Sequence, residues 1–314
     1  MVTSVCTIYV VGCKLFLHNC IRMCKYYIKQ KKCKNREGCS MYNFDKLVYT
    51  DDFMWETLGI RELPSKLYHY TSIDTLIKII ENKSIRFNRL DKVNDPEEAL
   101  SSSIENANTS VFVSCWNVED GESLYMWNMY GDNFKGVRIE IPSNMFKGRH
   151  SATIYEKGGS HTNYDGKISI ERENLGLTLN SYYVIGPNKV AYVNDRELLI
   201  SKTIHNQSDN IHVNLYDLGL FKNEYWKVEN EWRFKIIAMP QEVNYPNDKF
   251  TDKILDFEKY PVKQTEIFLD LDESALKEMK LIVGPKCDDK GFRRIEQAIE
   301  NLEISVEKSK IKIR

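Results

Sequence analysis

Apolar residues first recur with a helical period just after residue 70. Thr71 followed by Asp74 fits a capping box, and apolar residues then return every three or four positions. This pattern predicts a helix that ends near Lys83. The preceding stretch, "KLYHYTS" (66–72), predicts a strand that runs directly into this helix and carries His69 between two tyrosines.

A period of two residues marks the strands. In "ENEWRFKIIA" (229–238), aromatic and aliphatic residues alternate with charged ones, so the charged face would carry Glu231, Arg233 and Lys235. Further strands are predicted at "SIRFNRL", "TSVFVSCW", "GVRIEI", "KVAYV", "EIFLDL", "KLIVG" and "ISVEK". Further helices are predicted at "GESLYMWNMYG", around Glu273–Met279, at "FRRIEQAIENL" and, after a turn, within "VNDPEEAL". Strands outnumber helices in the second half, which favours an α+β fold over a regular βαβ series, with the largest loops in residues 145–220.

Composition favours a globular protein without a nucleic-acid-binding charge field. Of 314 residues, 42% are hydrophobic and 28% charged, and the formal net charge is −1. Six of the eight cysteines lie in the first forty residues, so the body of the chain does not have the even cysteine spacing of a disulfide scaffold. We therefore expect a cytoplasmic protein with reduced thiols.

The first forty residues differ abruptly from the rest. Lys14 interrupts their apolar run, and the basic residues follow that run instead of preceding it, so neither a membrane span nor a signal peptide is predicted. Three interpretations stay open: an interfacial basic amphipathic helix, a metal or redox tail, or upstream sequence joined by a misassigned start, which we favour. We expect residues 1–40 to be a poorly packed, basic, Cys-rich extension. A single α+β domain would then span residues 41–314, with the boundary near Cys39–Asn43.

Several common catalytic motifs are missing from the sequence. It contains no GxGxxG after a strand, no complete P-loop, no GxSxG elbow and no HExxH, and its six histidines are scattered. These absences argue against a doubly wound dinucleotide fold, an ordinary kinase, a serine hydrolase and a histidine-built metal site. We expect no metal cofactor.

Polar residues interrupt otherwise apolar elements at several places. His69 and Thr71 could end a strand in a binding cleft, or His69 could be a single polar interruption in a packed aromatic strand. Ser114 is expected at the end of a buried strand, with Trp127 and Tyr130 on the next helix. "NDPEE" (94–98) is typical of a rigid turn, and a substrate contact from Asp95 or Glu98 is the alternative.

The "ENE" triplet at residues 229–231 is the third polar interruption. Glu229 and Glu231, two apart on one strand, would place two carboxylates on one face, which costs stability unless a ligand uses them. The alternative is a solvated sheet face on which Glu231 pairs with Lys235 or Arg233.

Taken in order, these motifs resemble a known family. "LYHYTS", "NDPEE", "SCWN", "MWNMYG", "GVRIEI", "KVENEWRF" and "LIVGPK" follow the order seen in the bacterial family called domain of unknown function 2971. The resemblance covers residues 67–286. That family in turn resembles, more distantly, the ADP-ribosyltransferase superfamily, including DNA-targeting toxins and RNA 2′-phosphotransferases. The resemblance implies a split mixed sheet with flanking helices.

The superfamily resemblance also implies an NAD site. A first-strand His or Arg holds the nicotinamide ribose, a middle Ser or Tyr element shapes the nicotinamide pocket, and a late-strand Glu supports transfer. By position, the implied catalytic residues are His69, Tyr130 and Glu231. "SCW" departs from the Ser-Thr-Ser pattern of the middle element, which leaves its exact residue open. The implied NAD-binding residues are His69, Tyr70, Thr71, Ser114, Trp127 and Glu229.

The resemblance leads to an expected function with alternatives. We expect an NAD-dependent ADP-ribosyltransferase-like enzyme, acting as a bacterial toxin or anti-phage effector, with nucleic acid or protein as the acceptor. The alternatives are an NAD glycohydrolase, an RNA 2′-phosphotransferase, or a non-catalytic module that binds nucleotide or nucleic acid. The chemistry suits the residues because a fixed carboxylate stabilises positive charge at a sugar carbon, as in glycoside hydrolysis.

Two expectations can be checked against a structure. His69, Tyr130 and Glu231 should converge on one cleft, and a Glu231 on the opposite side of the sheet from His69 would overturn the enzyme hypothesis. Replacing Glu231 with Gln should reduce turnover about a hundred- to a thousand-fold. It should leave stability nearly unchanged, because a strand-end glutamate is expected to be exposed.

Overall fold

A computed structural model describes residues 64–147, 151–156, 159–164, 177–179, 184–207, 210–213, 215, 218–240 and 262–313. The first strands are β1 (Lys66–Thr71), β2 (Ser84–Arg89), β3 (Val111–Asn117), β4 (Val137–Pro142), β5 (Ser151–Glu156), β6 (Gly159–Tyr164), β7 (Leu177–Leu179) and β8 (Ile185–Lys189). The later strands are β9 (Ala191–Val193), β10 (Ile204–Gln207), β11 (Asn210–Val213), β12 (Phe221–Asn223), β13 (Glu231–Pro240), β14 (Glu266–Asp270), β15 (Lys280–Val283) and β16 (Ser305–Lys308). The α-helices are α1 (Ile73–Asn82), α2 (Leu124–Met129), α3 (Arg196–Leu199), α4 (Glu273–Lys277) and α5 (Asp289–Ile299). Short 3-10 turns cover Leu90–Lys92, Ala107–Ser110 and Glu224–Glu229.

One large mixed sheet organises the fold, which is α+β as expected. Its strand order is β14-β2-β3-β1-β4-β15-β16, and β13 pairs with β3, β7 and β8. The β15–β16 pair is parallel, whereas β1, β3, β4 and β13 pair antiparallel. Smaller two-stranded sheets are formed by β5 with β6, β9 with β12 and β10 with β11.

The large sheet is split along one edge of β3. β13 pairs with β3 along its whole length, from Val111 to Asn117. Two strands share the other edge of β3. β2 pairs with the first part of β3, as far as Val113, and β1 pairs with its last residue, Asn117. The residues between these pairing points, Ser114–Trp116, face a break between β1 and β2, which we call the sheet gap.

The main hydrophobic core lies on one face of this sheet. Leu76 of α1 and Ile295 of α5 pack there against sheet residues such as Trp116, Ile139 and Phe234. Helix α1 begins at an N-cap and ends at Lys83, which adopts a left-handed conformation, as the helical pattern predicted. The apolar side chains that alternate along the strands therefore point toward a layer of helices, which covers one face of the sheet.

Three local predictions were wrong. The N-cap of α1 is Ser72, whose side chain accepts a hydrogen bond from the Thr75 backbone, because Thr71 still belongs to β1. "VNDPEEAL" forms a turn and no helix, since Asp95 accepts a hydrogen bond from the Glu97 backbone and closes the turn locally. Glu229 ends a 3-10 turn instead of lying on β13, so it does not share the strand with Glu231. The predicted N-terminal extension and domain boundary fall outside the described residues.

Candidate functional site

A cavity of about 360 Å³ opens at the sheet gap. Its wall includes residues of β1, α1, β2, β3, α2 and β13, together with Lys222 of β12. The sequence-predicted site residues in the wall are His69, Tyr70, Thr71, Ser114, Tyr130, Glu229 and Glu231. The split in the sheet therefore creates the space in which these residues meet.

Trp127 is the predicted site residue that does not line this cavity. Its side chain is fully buried and stacks edge-on against Tyr70, with ring centroids 4.9 Å apart. Its indole nitrogen donates to Glu122 Oε2 at 3.0 Å. Trp127 is a residue of α2 that packs in a buried cluster with Tyr70 and Met126, so its position does not support the expectation that it contacts NAD.

His69 lies in the sheet gap but on the opposite face from Glu231. Strand register aligns Tyr68, Asn117 and Glu231 in one row across β1, β3 and β13, so these three share a face. His69 is adjacent to Tyr68 and therefore points to the other face, beside Trp116, whose ring centroid is 5.2 Å away. The expectation that His69 and Glu231 share a side of the sheet is not met, and this is the result that was expected to overturn the enzyme hypothesis. An enzyme hypothesis now depends on the sheet gap, through which both residues reach one cavity.

The hydrogen bond of His69 fixes its tautomer. Its Nδ1 lies 3.0 Å from the Cys115 carbonyl, at the point where β3 has no strand partner on that edge. A carbonyl can only accept, so Nδ1 carries the proton and Nε2 is an acceptor. Burial lowers the pKa of His69 from 6.5, which keeps the imidazole neutral at pH 7.

Ser114 belongs to the same face as His69. It lies in the middle of β3, not at its end as predicted, and its hydroxyl accepts a hydrogen bond from Trp116 Nε1 at 2.9 Å. Ser114 and Trp116 thus support each other on the core side of the gap. Tyr70 is also tied to the protein, because its hydroxyl accepts from the Ser123 backbone at 3.0 Å.

The two glutamates are positioned by the turn that precedes β13. Asn230 adopts a left-handed conformation with φ 42°, which turns the chain between Glu229 and Glu231. Asn117 Nδ2 donates to the Glu229 carbonyl at 2.8 Å, and the Tyr192 hydroxyl accepts from the Glu231 backbone at 2.8 Å. Although Glu229 lies outside the strand, the turn returns its side chain to the same cavity.

Five buried ionisable side chains surround this turn. Arg233 forms hydrogen bonds to both carboxylates that flank it, with Nη2 at 3.1 Å from Glu98 Oε2 and 2.8 Å from Glu231 Oε2. Lys222 Nζ lies 2.6 Å from Glu229 Oε2 and 3.3 Å from Glu231 Oε2. We call Glu98, Lys222, Glu229, Glu231 and Arg233 the charge cluster. It holds three carboxylates against two cations, so binding one proton would neutralise it.

Burial governs the protonation of the charge cluster. Burial raises the pKa of Glu231 to about 7, and Glu229 acts in the same direction, while Lys222 opposes the shift. Burial lowers the pKa of the Arg233 guanidinium to about 9, so it remains protonated at neutral pH. For Lys222 burial alone would lower the pKa, but Glu231 and Glu229 outweigh burial and raise it.

Tyr130 joins the charge cluster to the protein surface. It directly follows α2, its hydroxyl donates to Glu229 Oε1, and it accepts a hydrogen bond from Asn94 Nδ2 at 2.9 Å. Burial and the bond to Glu229 raise the pKa of Tyr130, so it stays protonated. Because Asn94 is exposed, the chain Asn94–Tyr130–Glu229 leads from solvent to a buried carboxylate.

Sequence reasoning missed most of the charge cluster. It treated Glu231 as an exposed strand-end residue, whereas the side chain is buried at 5% exposure. The pairing of Glu231 with Arg233, which was one alternative predicted from the sequence, is confirmed. Glu98 was considered only as a turn residue or substrate contact, and its partner Arg233 lies 135 residues further along the chain. Lys222 was not considered at all. Its only signal was a lysine directly after the apolar stretch "LGLF".

Part of the chain matches a known protein family. Residues 126–234, about a third of the chain, match a family described as "Protein of unknown function (DUF2971)". This stretch runs from α2 into β13 and contains Tyr130, Lys222 and both glutamates. The match supports the resemblance to that family inferred from the motifs. Neither the curated proteins nor the solved structures contain a significant match to the chain.

The part of the chain that the structure describes contains no candidate membrane span and no candidate metal cluster. Among the helices of the described residues, none is both long and apolar enough to cross a bilayer. In the same part of the chain, His, Cys, Asp and Glu residues form no group of three or more with the arrangement of a metal site. The carboxylates that do gather are those of the charge cluster, and their partners there are Lys222 and Arg233.

Proposed function

We propose that the protein is an NAD-consuming enzyme of the ADP-ribosyltransferase type and that the cavity at the sheet gap receives the nicotinamide riboside part of NAD. The observation that carries this proposal is the meeting of the three predicted elements at one cavity. His69 comes from β1, Ser114 from β3, and the Glu229–Glu231 turn from the start of β13, and these three strands are neighbours in the sheet. A split mixed sheet is also what the superfamily resemblance implies.

The distribution of charge in the cavity suits NAD. The cavity wall carries two buried carboxylates, Glu229 and Glu231, which pair with the wall cations Lys222 and Arg233. It also carries two half-exposed cations, Arg86 and Lys92, which lie 3.7 Å from Glu266 and 3.5 Å from Asp91. NAD combines a cationic nicotinamide ring with an anionic pyrophosphate, so a wall with both carboxylates and exposed cations would offer partners to both ends of the molecule. The volume of about 360 Å³ is at the lower end of the range for small-molecule sites, about 300–1,000 Å³. The cavity would thus hold one half of the dinucleotide.

The proposed reaction breaks the bond between nicotinamide and ribose C1′. The bonding electron pair leaves with the nicotinamide nitrogen, and nicotinamide departs as a neutral molecule. The acceptor oxygen or nitrogen bonds to C1′ and loses one proton, which passes to solvent. A buried carboxylate that accepts a hydrogen bond from a ribose hydroxyl stabilises the positive charge that develops at C1′.

His69 would act from the other side of the sheet gap. Its Nδ1 is committed to the Cys115 carbonyl, so Nε2 is the atom that could accept a hydrogen bond from a ligand hydroxyl. His69→Phe retains a flat ring but removes both nitrogens. If His69 contacts NAD through the gap, this variant should raise KM for NAD. If KM and kcat were both unchanged, His69 would be a packing residue beside Trp116.

The direct test is NAD consumption by the full-length protein. The purified chain is incubated with NAD, alone and with DNA, RNA or protein acceptors, and released nicotinamide is quantified by chromatography. Release without an acceptor would identify an NAD glycohydrolase, and release only with an acceptor would identify a transferase. NAD binding without release would identify a non-catalytic binding module. Absence of both binding and release would refute the proposal.

A further inference from the structure

The two glutamates of the turn have different surroundings. Both line the cavity, but they differ in how many of their acceptor positions the protein already uses. A carboxylate offers about four lone-pair positions to hydrogen-bond donors. The number that remains open decides whether the carboxylate can accept a hydrogen bond from a ligand.

Glu231 is almost fully occupied by protein donors. The Arg233 guanidinium spans both of its oxygens, with Nε bonded to Oε1 and Nη2 bonded to Oε2 at 2.8 Å. Lys222 adds a third bond to Oε2 at 3.3 Å, so about one acceptor position remains. The Arg233 guanidinium is itself hydrogen-bonded to Glu98. It therefore cannot turn away from Glu231 without leaving buried charges unpaired.

Glu229 accepts fewer hydrogen bonds than Glu231, although its side chain is equally buried. Its Oε1 accepts from the Tyr130 hydroxyl, and its Oε2 accepts from Lys222 at 2.6 Å. Within the described part of the chain its side chain has no other donor, so about two acceptor positions remain. Through Tyr130 and Asn94, Glu229 is also the carboxylate connected to the solvent-exposed side of the cavity.

We infer that Glu229 is the carboxylate that meets the ribose of NAD, and that Glu231 is a positioning residue which, with Arg233, holds Lys222 and the turn in place. This inference rests on the proposed NAD-consuming function and assigns its central contact. The ribose hydroxyl would donate to an open lone pair of Glu229 and keep its proton. Lys222 and Tyr130 would fix the direction of the carboxylate.

The experiment compares Glu229→Gln, Glu231→Gln and Tyr130→Phe in the full-length protein. Release of nicotinamide from NAD is measured for each variant, with Glu296→Gln, an exposed residue of α5, as the matched control. Loss of one preorganised electrostatic contact typically lowers kcat about a hundred- to a thousand-fold, and we expect this loss for Glu229→Gln. For Glu231→Gln we expect a much smaller loss, in place of the loss of about a hundred- to a thousand-fold expected from the sequence, because protein donors already occupy this carboxylate.

The Tyr130→Phe variant further distinguishes the role of Glu229 from that of Glu231. It keeps the aromatic ring but removes the hydrogen bond to Glu229, and the structure shows no bond from this hydroxyl to Glu231. We expect kcat to fall while KM for NAD changes little, because the ring that contacts the ligand is retained. A role limited to folding would lower the melting temperature without this separation of kcat from KM.

The outcomes distinguish this inference from the proposed function. An active wild type with the deeper loss in Glu229→Gln supports the inference. An active wild type with the deeper loss in Glu231→Gln, and an unaffected Tyr130→Phe, overturns the inference and leaves the proposed function standing. A wild type that neither binds nor consumes NAD overturns both. Circular dichroism of each variant establishes that a loss of activity is not a loss of fold.

Discussion

Replacing Arg233 with Met tests whether the charge cluster is held together as the structure indicates. Arg233 is 1% exposed and donates five hydrogen bonds, two each to Glu98 and Glu231 and one to the Gly219 carbonyl. Methionine has a similar length but no charge. The substitution leaves Glu98 with Lys222 as its nearest cation, at 3.8 Å, and Glu231 with Lys222 at 3.3 Å.

The expected loss is large for a single substitution. Removing one partner of a buried ion pair typically costs about 3–5 kcal/mol, because an uncompensated charge remains buried. A domain is usually stable by only about 5–15 kcal/mol, so Arg233→Met could consume much of that margin. The deficit should shrink as the pH falls from 7 toward 5. The orphaned carboxylates would have folded-state pKa values above their unfolded values, so proton uptake favours the folded variant.

Urea unfolding of the full-length chain at pH 7 gives the free energy of unfolding. The control is Arg293→Met, since Arg293 is exposed on α5 and its loss should cost no more than about 0.5 kcal/mol. A second variant combines Arg233→Met with Glu98→Met and should be more stable than Arg233→Met alone, because both buried charges of the pair are removed. A loss below about 1 kcal/mol for Arg233→Met, or a double variant less stable than the single one, would refute this account of the cluster.

Three further predictions concern the turn, the titration of Glu231 and the N-terminus. Burial raises the pKa of Glu231 from 4.5 to about 7, so ionisation of this residue opposes folding. As the pH rises from 4.5 to 7, the free energy of unfolding of the wild type should fall by up to about 3 kcal/mol relative to that of Glu231→Gln. A difference between the two proteins that does not change with pH in urea titrations would contradict this. Asn230→Ala should be about 1 kcal/mol less stable than Asn230→Gly, since alanine is disfavoured at φ 42°; equal melting temperatures would argue against a strained turn. A chain that begins at Met41 should melt at the temperature of the full chain, and a large drop would show that residues 1–40 belong to the core.

Local pattern predicted most of the elements, because their periodicity follows from one buried face. The alternation in β13 correctly separated Trp232 and Phe234 from Glu231 and Arg233, and register confirms these two faces. The same alternation led to the wrong environment for Glu231, since charged residues every second position are typical of a solvated face. Here that face is buried beneath the Leu218–Lys222 segment, whose carbonyls bond Arg233 and Lys235.

The sheet gap could not have been predicted from local sequence. It depends on how far β1 and β2 pair along β3, and His69 is separated from Cys115 by 46 positions. The partner of Arg233 was equally hidden, because several acidic residues were available and only the folded chain brings Glu98 to it. The order of the motifs was enough to identify residues that line one cavity. The face of the sheet on which each residue lies could be assigned only from the strand register.

A gain in folding stability does not explain the charge cluster. A buried set of ion pairs is often no more stable than apolar residues of the same volume, since desolvation offsets the attraction between charges. Its carboxylates also exceed its cations by one, so the cluster retains a repulsion that a purely structural network could avoid by omitting Glu229. Of the two carboxylates that line the cavity, Glu229 accepts fewer hydrogen bonds, and it is the one that Tyr130 and Asn94 connect to solvent. Local conflicts of this kind are expected where a fold serves a ligand, and this one lies at the sheet gap, where Ser114–Trp116 of β3 have a strand partner on one edge only. The excess carboxylate and the break in the sheet therefore favour the same location for the ligand.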